Sequence, residues 1–371
     1  MPNSSKKLRV VHIGFSNIRY MIQLVNSLPT SNLEILVIIP KKYSYYLKAL
    51  KKNIDFFLYD WEKNHLNPRN LLSNIQILKR IREFNPSIVH TQNGGNSFFF
   101  LMYPFLRKSK IFCTVHDPIL HSGEKKLAVR YLNKFSYSQR YNKKYFVNGL
   151  KMKKFLALNR KINPNKIVPI QRGDYSIYLN WDHNEVRAEK NTILFFGRIR
   201  DYKGLNYLIN AEPLITKEIP DIKIIIAGKG AGDKRYLDSI TNMERFEIHD
   251  YWIPIEEMVK FYKRACIIVM PYTDASQSGV APLALSCIRP VIVTNVGSVP
   301  ELVDHNRTGL VIPPRNVKSL ARAVIDLLKN PSKLDKMKSH ISEKLKTEDM
   351  QWITASKQTI DAYLEDSNFE K

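Results

Sequence analysis

Two cationic side chains stand at a strand-to-helix turn near the middle of the chain. An apolar run is followed by Gly197-Arg198-Ile199-Arg200-Asp201-Tyr202-Lys203-Gly204, and then a helical pattern begins. Arg198 and Lys203 can converge on one anion, beside the free amide groups of a helix start. A diphosphate fits such a site. An arginine and a lysine in a loop are also common as ordinary solvated residues, so the spacing alone leaves both interpretations open.

A second candidate for anion binding follows the apolar run IIVMPY. The loop Thr273-Asp274-Ala275-Ser276-Gln277-Ser278-Gly279-Val280 is rich in hydroxyl groups and precedes a helical pattern. Its backbone N–H groups can bind an anion without a metal ion, although a plain turn is the alternative. Farther along, Glu301 follows Pro300 and is predicted to be a charge in the first turn of a helix rather than a catalyst.

Polar side chains also follow strands in the first half of the chain. Gly14 ends the first apolar run, and a His-Asp pair, His116 and Asp117, ends the run IFCTV. Lone histidines in strands are more often structural, so His116 is a candidate rather than an assignment. The glycines of Gly228-Lys229-Gly230-Ala231-Gly232 do not have G-x-G-x-x-G spacing, which favours a tight turn over dinucleotide binding.

The sequence does not predict a metal site. The three cysteines, Cys113, Cys266 and Cys287, lie far apart, and neither a D-x-D motif nor a cluster of histidines is present. This spacing also excludes a disulfide framework and suits a reducing compartment. We therefore expect no cofactor and no metal.

The elements that position these residues are short apolar strands alternating with helical segments. The predicted strands are 8–15, 33–40, 56–59, 87–91, 111–117, 145–148 and 167–171 in the first half, and 192–198, 222–228, 246–251, 266–272, 290–295 and 309–313 in the second. Many are apolar on both faces, which is typical of strands buried between two helical layers. In the helical segments, one apolar face is predicted from Leu71, Leu72, Ile75, Leu78 and Ile81, and another from Leu205, Leu208, Ile209, Leu214 and Ile215.

Repeated β-α-β units with buried strands predict an α/β fold with two doubly wound parallel sheets. The first domain is predicted to span residues 1–175 and the second 190–349, with the polar stretch from Arg172 to Lys190 as a linker. In such sheets ligands bind where strands end, so the site is expected in the cleft between the domains.

Almost all of the net positive charge of the chain lies in its first half. The 371 residues carry a formal net charge of +24. Residues 1–180 contain 31 Lys and Arg against 8 Asp and Glu, whereas the remainder has 27 against 26. A nucleic-acid-binding protein of uniformly basic composition would not show this step. The first half is therefore expected to face an anionic partner.

An anionic membrane surface is one such partner. The segment Lys41–Lys52 would place Tyr43, Tyr46, Leu47 and Leu50 on one helical face and lysines on another, as in a membrane-surface helix. An ordinary helix packed on the sheet is equally compatible. The apolar run 98–106 is predicted to be either a buried helix or an insertion flanked by cations. It is too short to span a bilayer, and the N-terminus has no signal-peptide pattern.

The second half resembles the donor-binding half of family-four glycosyltransferases, which are retaining enzymes of the GT-B fold. The resemblance runs from about Ile193 to Leu328, through GRIRDYKG, IIIAGKG, FYKRACIIVMPY, SQSGVAPLAL, RPVIVTNVGSVPELV and RTGLVIPP in this order. It implies two Rossmann-like domains facing a cleft, with a C-terminal helix, here within 350–371, that crosses back to the first domain.

The resemblance also implies roles for individual residues. Arg198 and Lys203 would bind the donor diphosphate, beside Gly197. The segment Tyr251-Trp252-Ile253 would contact the nucleotide base, and the loop Ser276-Gln277-Ser278-Gly279-Val280 would bind phosphate and sugar. In the first half, which resembles the family more loosely, His116 would contact the transferring sugar, and Gly14 would belong to a donor-binding loop.

One departure from the family pattern concerns two glutamates eight positions apart. Ser276 and Ala284 stand at these positions, so the carboxylate that usually binds the ribose is missing. Asp274 is a candidate replacement. We interpret the departure as a subfamily variation rather than loss of activity, because Arg198, Lys203 and Gly279 are retained.

The function implied is a metal-independent, retaining transfer of a sugar from a nucleotide diphosphate sugar to a hydroxyl group of a glycan or lipid-linked acceptor, in cell-surface polysaccharide synthesis. A cytoplasmic location, peripheral on the inner face of the membrane, would suit the basic first half. The alternatives are a GT-B sugar-nucleotide epimerase, a phosphorylase, or a non-catalytic nucleic-acid-binding protein.

Overall fold

The computed structural model describes residues 7–62, 68–92, 99–116, 138–170, 173–181, 185–275 and 278–365. These residues form two compact units. Those up to 116, from 138 to 170 and from 352 to 365 belong to the first, and those between 173 and 351 belong to the second. Each unit is built on one sheet.

The sheet of the first unit has seven strands in the order β3-β2-β1-β4-β5-β6-β7, and every pair of neighbours is parallel. The strands are β1 Leu8–Ile13, β2 Leu33–Pro40, β3 Asp55–Tyr59, β4 Ile88–Gln92, β5 Lys110–Val115, β6 Asn142–Asn148 and β7 Ile167–Ile170. The direction of winding reverses at β1, which gives the doubly wound topology.

The second unit repeats this plan with six parallel strands in the order β10-β9-β8-β11-β12-β13. The strands are β8 Thr192–Phe196, β9 Lys223–Ala227, β10 Phe246–His249, β11 Ile267–Met270, β12 Val291–Thr294 and β13 Gly309–Ile312. The inner strands are fully buried. The predicted α/β class with two doubly wound parallel sheets is therefore confirmed, and all thirteen strands lie where the sequence places them, with ends shifted by a few residues.

Helices cover both sheets. The α-helices are Ile18–Ser27, Pro68–Phe84, Leu150–Arg160, Leu205–Thr216, Lys234–Leu237, Ile255–Arg264, Val280–Ser286, Val317–Lys329, Pro331–Lys344 and Ile353–Glu365. Shorter 3-10 helices include Lys41–Ala49, Phe99–Leu106, Ser176–Trp181, Asp201–Lys203 and Val299–Leu302. In the last of these, Glu301 accepts a hydrogen bond from the Ser298 hydroxyl at 3.1 Å, which agrees with its predicted place at a helix start.

The helix Pro68–Phe84 forms where it was predicted, but part of its predicted apolar face is exposed. Leu71, Leu72 and Ile75 are more than half exposed, whereas Asn70, Ser73 and Asn74 are buried beside Ile77 and Ile81. The buried polar groups bond to the segment after β3: the Ser73 hydroxyl donates to the carbonyl of Asp60, and the Asn70 amide exchanges two hydrogen bonds with the backbone of Glu62. The predicted apolar face was therefore wrong in its first two turns.

The basic segment after β2 is a 3-10 helix packed on the sheet. Tyr46 is buried and Leu47 is half-buried, and the backbone of this segment is tied to Asn26 of the helix Ile18–Ser27. The four apolar residues of the predicted face are buried or half-buried and the lysines are exposed, which agrees with the packed alternative. The segment Phe99–Leu106 is likewise a buried helix, with Phe99 and Tyr103 in the core.

Part of the predicted linker is packed into the second unit. Ile177, Tyr178 and Trp181 are buried, and the Tyr175 N–H donates to the Ser286 hydroxyl at 2.7 Å. The chain re-enters the first unit at Trp352, where the helix Ile353–Glu365 contacts β7 and the helix Ile18–Ser27.

Across the described ranges, no helix is both long enough and apolar enough to cross a membrane.

Candidate active site

The turn after β8 is held open by glycine. Gly197 has φ of +102° and Gly228, after the neighbouring strand β9, has φ of +144°, values that side chains other than glycine rarely adopt. A Cβ on Gly228 would lie 2.4 Å from the carbonyl oxygen of Gly197. The Ala231 N–H also donates to the carbonyl of Gly228, in agreement with the tight turn predicted there. This turn therefore supports the backbone from which Arg198 projects.

Lys203 points back across the same turn. Its Nζ lies 3.5 Å from the carbonyl oxygen of Phe196, 5.4 Å from the ring centroid of Tyr272, and 2.7 Å from where a Cβ on Gly197 would stand. The ammonium group is therefore brought to the backbone at the end of β8. Arg198 is exposed and projects from the same turn.

The loops after β8 and β11 are joined to each other. The carbonyl oxygen of Tyr202 accepts from both the backbone N–H and the hydroxyl of Thr273, at 2.7 and 3.2 Å. Gly204 has φ of +69°, and a Cβ there would lie 2.1 Å from the carbonyl oxygen of Pro271. Only glycine allows this approach, so the two candidate anion-binding loops form one structure.

The second loop brings the start of the helix Val280–Ser286 to this place. The Val280 N–H donates to the Ser278 hydroxyl at 3.2 Å, and Val280 Cγ2 would lie 3.9 Å from a Cβ on Gly197. Gly279 precedes the helix, and the buried Tyr272 hydroxyl lies 3.4 Å from Ser278 Oγ. Ser276 and Gln277 lie outside the described residues.

Of the two positions of the family glutamates, the structure describes the second, Ala284. Ala284 is fully buried in the helix Val280–Ser286, and its carbonyl accepts from the N–H of Arg289. The alanine leaves no polar group at this position. Asp274, the candidate replacement for the missing carboxylate, is half-buried in the loop before the helix.

The segment after β10 places two exposed aromatic rings beside an acidic residue. Tyr251 and Trp252 are 38% and 70% exposed, whereas Ile253 is buried. The Tyr251 hydroxyl donates to Glu257 at 2.7 Å, and this hydrogen bond raises the pKa of Tyr251. Asp250 accepts from the N–H of Gly230 at 2.6 Å, which lowers the pKa of its carboxyl group and ties this segment to the turn after β9.

In the first unit, Gly14 and His116 lie at the ends of β1 and β5. The Gly14 carbonyl accepts from the Tyr59 hydroxyl, and a Cβ on Gly14 would lie 2.5 Å from Cδ1 of Ile18. His116 is 2% exposed, and its Nε2 donates to the side-chain oxygen of Gln92 at 2.7 Å. Asp117, its predicted partner, lies outside the described residues.

Sequence reasoning missed a buried group of polar side chains beneath His116. The Tyr363 hydroxyl of the last helix lies 2.5 Å from His90 Nδ1 and 3.3 Å from His12 Nε2. His90 Nε2 lies 2.7 Å from the Thr114 hydroxyl. Burial lowers the pKa of His12 to about 3 and that of His90 well below its usual value, so both imidazoles are neutral. The alternation in VVHIG and IVHTQ, which puts each histidine inside a buried strand, was the available signal.

Within the described ranges, groups of three or more His, Cys, Asp or Glu side chains suited to holding a metal ion are not found. The candidate site therefore consists of the positions around Gly197, Lys203 and Val280 in the second unit. In the first unit, the predicted site residues that the structure describes are Gly14 and His116, at the ends of β1 and β5.

Comparison with known proteins gives each unit a family assignment. The model for "Glycosyltransferase Family 4" matches residues 19–173, and the model for "Glycosyl transferases group 1" matches residues 190–330. An uncharacterized glycosyltransferase of Methanocaldococcus jannaschii is 28% identical over 201 residues, which is 51% of this chain and 50% of that protein. The chain thus spans about half the length of this curated relative.

Solved structures share the fold over nearly the whole chain. A glycosyltransferase from Rickettsia africae superposes with a TM-score of 0.74 at 18% identity, covering 98% of this chain and 100% of that one. Anabaena HepE in complex with UDP-glucose superposes with a TM-score of 0.70 at 13% identity. The superposition covers 96% of this chain and 100% of the HepE chain. The fold is therefore of the GT-B type, and the chain belongs to the glycosyltransferases of group 1 and family 4.

Proposed function

We propose that this protein transfers a glycosyl group from a nucleotide diphosphate sugar to a hydroxyl group, with the anomeric configuration retained and no metal ion required. The observation that carries the proposal is the placement of Lys203 Nζ beside Gly197, where the first turn of the helix at Val280 also arrives. A cation and an open glycine turn beside a hydroxyl-rich loop at a helix start suit a diphosphate.

The proposed chemistry follows from where charge develops. The bond between the anomeric carbon and the leaving phosphate oxygen breaks, so negative charge grows on the diphosphate. Lys203 and Arg198 would stabilise that charge more in the transition state than in the ground state. The acceptor oxygen bonds to the same face of the anomeric carbon, and its proton passes to the leaving phosphate oxygen. This same-face displacement needs no carboxylate nucleophile.

The nucleotide is proposed to lie along the segment after β10. Tyr251 and Trp252 offer exposed rings to a base, and Ile253 supports them from the core. Since Ala284 offers no carboxylate, we propose that Asp274 or the backbone contacts the ribose. HepE, which shares the fold, was solved with UDP-glucose, and this supports testing uridine donors first.

The sugar and its acceptor are assigned to the first unit. His116 would contact the transferring sugar at the end of β5, and Gly14 would belong to the loop that faces the donor. Because His116 is buried and bonded to Gln92, its side chain has a fixed orientation at this strand end. The acceptor class proposed is a glycan or a lipid-linked sugar of cell-surface polysaccharide synthesis.

Peripheral binding at the cytoplasmic face of a membrane is proposed for the first unit. Its half of the chain carries the whole positive excess, and each Lys or Arg near an anionic leaflet contributes about 1 kcal/mol. A lipid-linked acceptor bearing pyrophosphate would be presented there.

A thermal-shift panel of nucleotide diphosphate sugars tests the donor proposal. A ligand at a hundred times its Kd adds about 2.7 kcal/mol to the free energy of unfolding. We expect one nucleotide series to raise the melting temperature, with released nucleotide and an acceptor-bound sugar in a turnover assay. The product is then examined by NMR for the anomeric configuration.

The same assay separates the alternatives. An epimerase would convert the donor without an acceptor, and a phosphorylase would require free phosphate. Binding of nucleic acid together with failure to bind any nucleotide sugar would contradict the donor proposal and favour the nucleic-acid-binding alternative.

A further inference from the structure

Exposed apolar side chains occur on three helices in one layer of the first unit. Across the described residues of this layer, six large apolar side chains are more than half exposed. They are Leu71, Leu72 and Ile75 on the helix Pro68–Phe84, Phe105 on Phe99–Leu106, and Leu150 and Leu158 on Leu150–Arg160. We define these six residues as the outer apolar surface. Leu150 and Leu158 are 64% and 78% exposed, values far from those of core leucines.

The topology places all three helices on the same side of the sheet. The connections β3 to β4, β4 to β5 and β6 to β7 all run in one direction across the strand order. Such connections are right-handed, so elements that cross in one direction lie on one face. The connections β1 to β2 and β2 to β3 run the other way, which puts Ile18–Ser27 and Lys41–Ala49 on the opposite face.

Cationic side chains lie among the exposed leucines of the helix Leu150–Arg160. Leu150, Lys154 and Leu158 follow one another at spacings of four residues, and Lys151 and Lys161 lie on the same side. All five are exposed. Acidic residues are absent from the sequence between 125 and 173, so this face is entirely positive.

The helix Pro68–Phe84 also carries cations beside its exposed apolar residues, together with one acidic residue, Glu83, which pairs with Arg80. Leu71 and Ile75 are followed on the same face by Lys79 and Arg82, which are exposed. Phe105 is followed by exposed Arg107 and Lys108. An apolar surface of this kind, with cations at its edges, is complementary to an anionic bilayer, because leucine and phenylalanine enter the acyl boundary while lysine and arginine stay with the headgroups.

We propose that the outer apolar surface is the membrane-docking face of this protein and that its partner is an anionic lipid bilayer. The proposal rests on the membrane association proposed above and assigns it to this surface instead of the basic segment Lys41–Lys52. That segment buries Tyr46 and lies on the opposite face of the sheet.

The test uses the full chain and vesicles of phosphatidylglycerol and phosphatidylcholine. The double variant Leu150→Gln/Leu158→Gln changes only exposed side chains, and we expect it to bind vesicles about tenfold or more weakly. Leu72→Gln/Ile75→Gln should show a similar loss. Both variants should melt at the wild-type temperature and should release nucleotide from the donor at the wild-type rate when a soluble acceptor is supplied.

Phe56→Gln is the matched control. Phe56 is 51% exposed on β3, while its neighbour Phe57 packs against the core below the helix Pro68–Phe84. Since side chains alternate along a strand, Phe56 points to the opposite face. This variant should bind vesicles as the wild type does.

The outcomes separate this proposal from the broader one. Vesicle binding that survives both leucine and isoleucine variants but is lost in Lys41→Ala/Lys42→Ala/Lys48→Ala overturns the docking face and leaves membrane association standing. Wild-type protein that binds none of these vesicles overturns both. Loss of self-association in the Leu150→Gln/Leu158→Gln variant, with vesicle binding unchanged, would identify the surface as a contact between copies and also overturn the proposal.

Discussion

Two cations five residues apart in the sequence are held in different ways by the fold. Lys203 is half-buried, and its ammonium group is brought to the backbone at Gly197, whereas Arg198 is exposed on the same turn. The ammonium group of the lysine is therefore already placed at the turn before a ligand binds. Both cations are positioned by a turn whose own geometry depends on Gly197 and Gly228.

We predict that Lys203→Ala and Arg198→Ala each lower kcat about a hundredfold or more. Removing one contact to developing charge costs about 3 kcal/mol of transition-state stabilisation. Steady-state turnover of the nucleotide sugar measures the effect, with melting temperatures to confirm folding. The matched control is Lys229→Ala, a lysine of the neighbouring turn whose Nζ lies 3.6 Å from Asp250, and it should retain most activity. Near-normal turnover in Lys203→Ala would contradict the proposed donor site.

The buried histidines predict a pH-dependent stability. His12 and His90 are neutral in the folded state because burial lowers their pKa, whereas in the unfolded chain they bind protons below about pH 6.5. The free energy of unfolding should therefore fall as the pH decreases from about 6.5 towards 3, by about 1.4 kcal/mol per pH unit for each histidine. Urea unfolding at pH 7.5 and 5.5 measures this change.

His12→Gln is the variant that isolates one histidine of the pair. It removes one of the two groups that titrate only on unfolding, so its loss of stability between the two pH values should be smaller than that of the wild type. An equal loss in both proteins would show that His12 does not contribute to the pH dependence.

At the level of elements, the site depends on close approach between two loops. Gly204 ends the loop after β8 and starts the helix Leu205–Thr216, and it lies against the carbonyl of Pro271 at the end of β11. The hydrogen bonds from Thr273 to Tyr202 close the same contact. The relative positions of Lys203 and the helix start at Val280 therefore depend on the space beside Gly204.

We predict that Gly204→Ala lowers both stability and turnover, whereas Gly14→Ala is milder. The methyl group on residue 204 would meet backbone at 2.1 Å with φ of +69°, but on residue 14 it would meet the flexible end of Ile18. Melting temperatures and turnover of the two variants are compared directly. A larger loss of stability in Gly14→Ala would contradict the role assigned to the loop contact.

The helix Pro68–Phe84 shows where pattern reasoning fails. Its apolar residues occur on two sides, and periodicity cannot say which side packs when Asn70 and Ser73 bond to backbone groups. Those partners belong to the segment after β3, which the sequence pattern does not link to the helix. The exposed position of Leu71, Leu72 and Ile75 was therefore visible only in the folded chain.

At the scale of the whole molecule, the net positive charge and the proposed donor site lie in different halves of the chain. Residues 1–180 carry +23 of the net +24, and the second half, with its proposed donor site, is close to neutral. A diphosphate site needs only a few well-placed cations. We therefore propose that the excess in the first half serves a larger anionic partner, which is the basis of the membrane proposal.

We predict that a diphosphate-bearing nucleotide protects the second unit from hydrogen exchange. Protection should concentrate at 197–204, 249–253 and 278–286, because ligand contacts there suppress local opening. Exchange is measured by mass spectrometry with the nucleotide selected by thermal shift, and with its nucleoside as the control. The nucleoside should leave 197–204 unprotected, and equal protection by both ligands would contradict a diphosphate contact at Lys203.

The sequence by itself determined the two parallel sheets, the positions of all thirteen strands and the loops that carry Lys203 and Val280. These features follow from local patterns, since a short run of consecutive residues is enough to predict a buried strand or a glycine-containing turn. The tertiary structure alone decided which helical faces are buried, that Thr273 joins the two loops, and that Tyr363 reaches His12 and His90. Such contacts join residues up to 351 positions apart, and the sequence pattern carries no record of which distant partner satisfies a buried polar group.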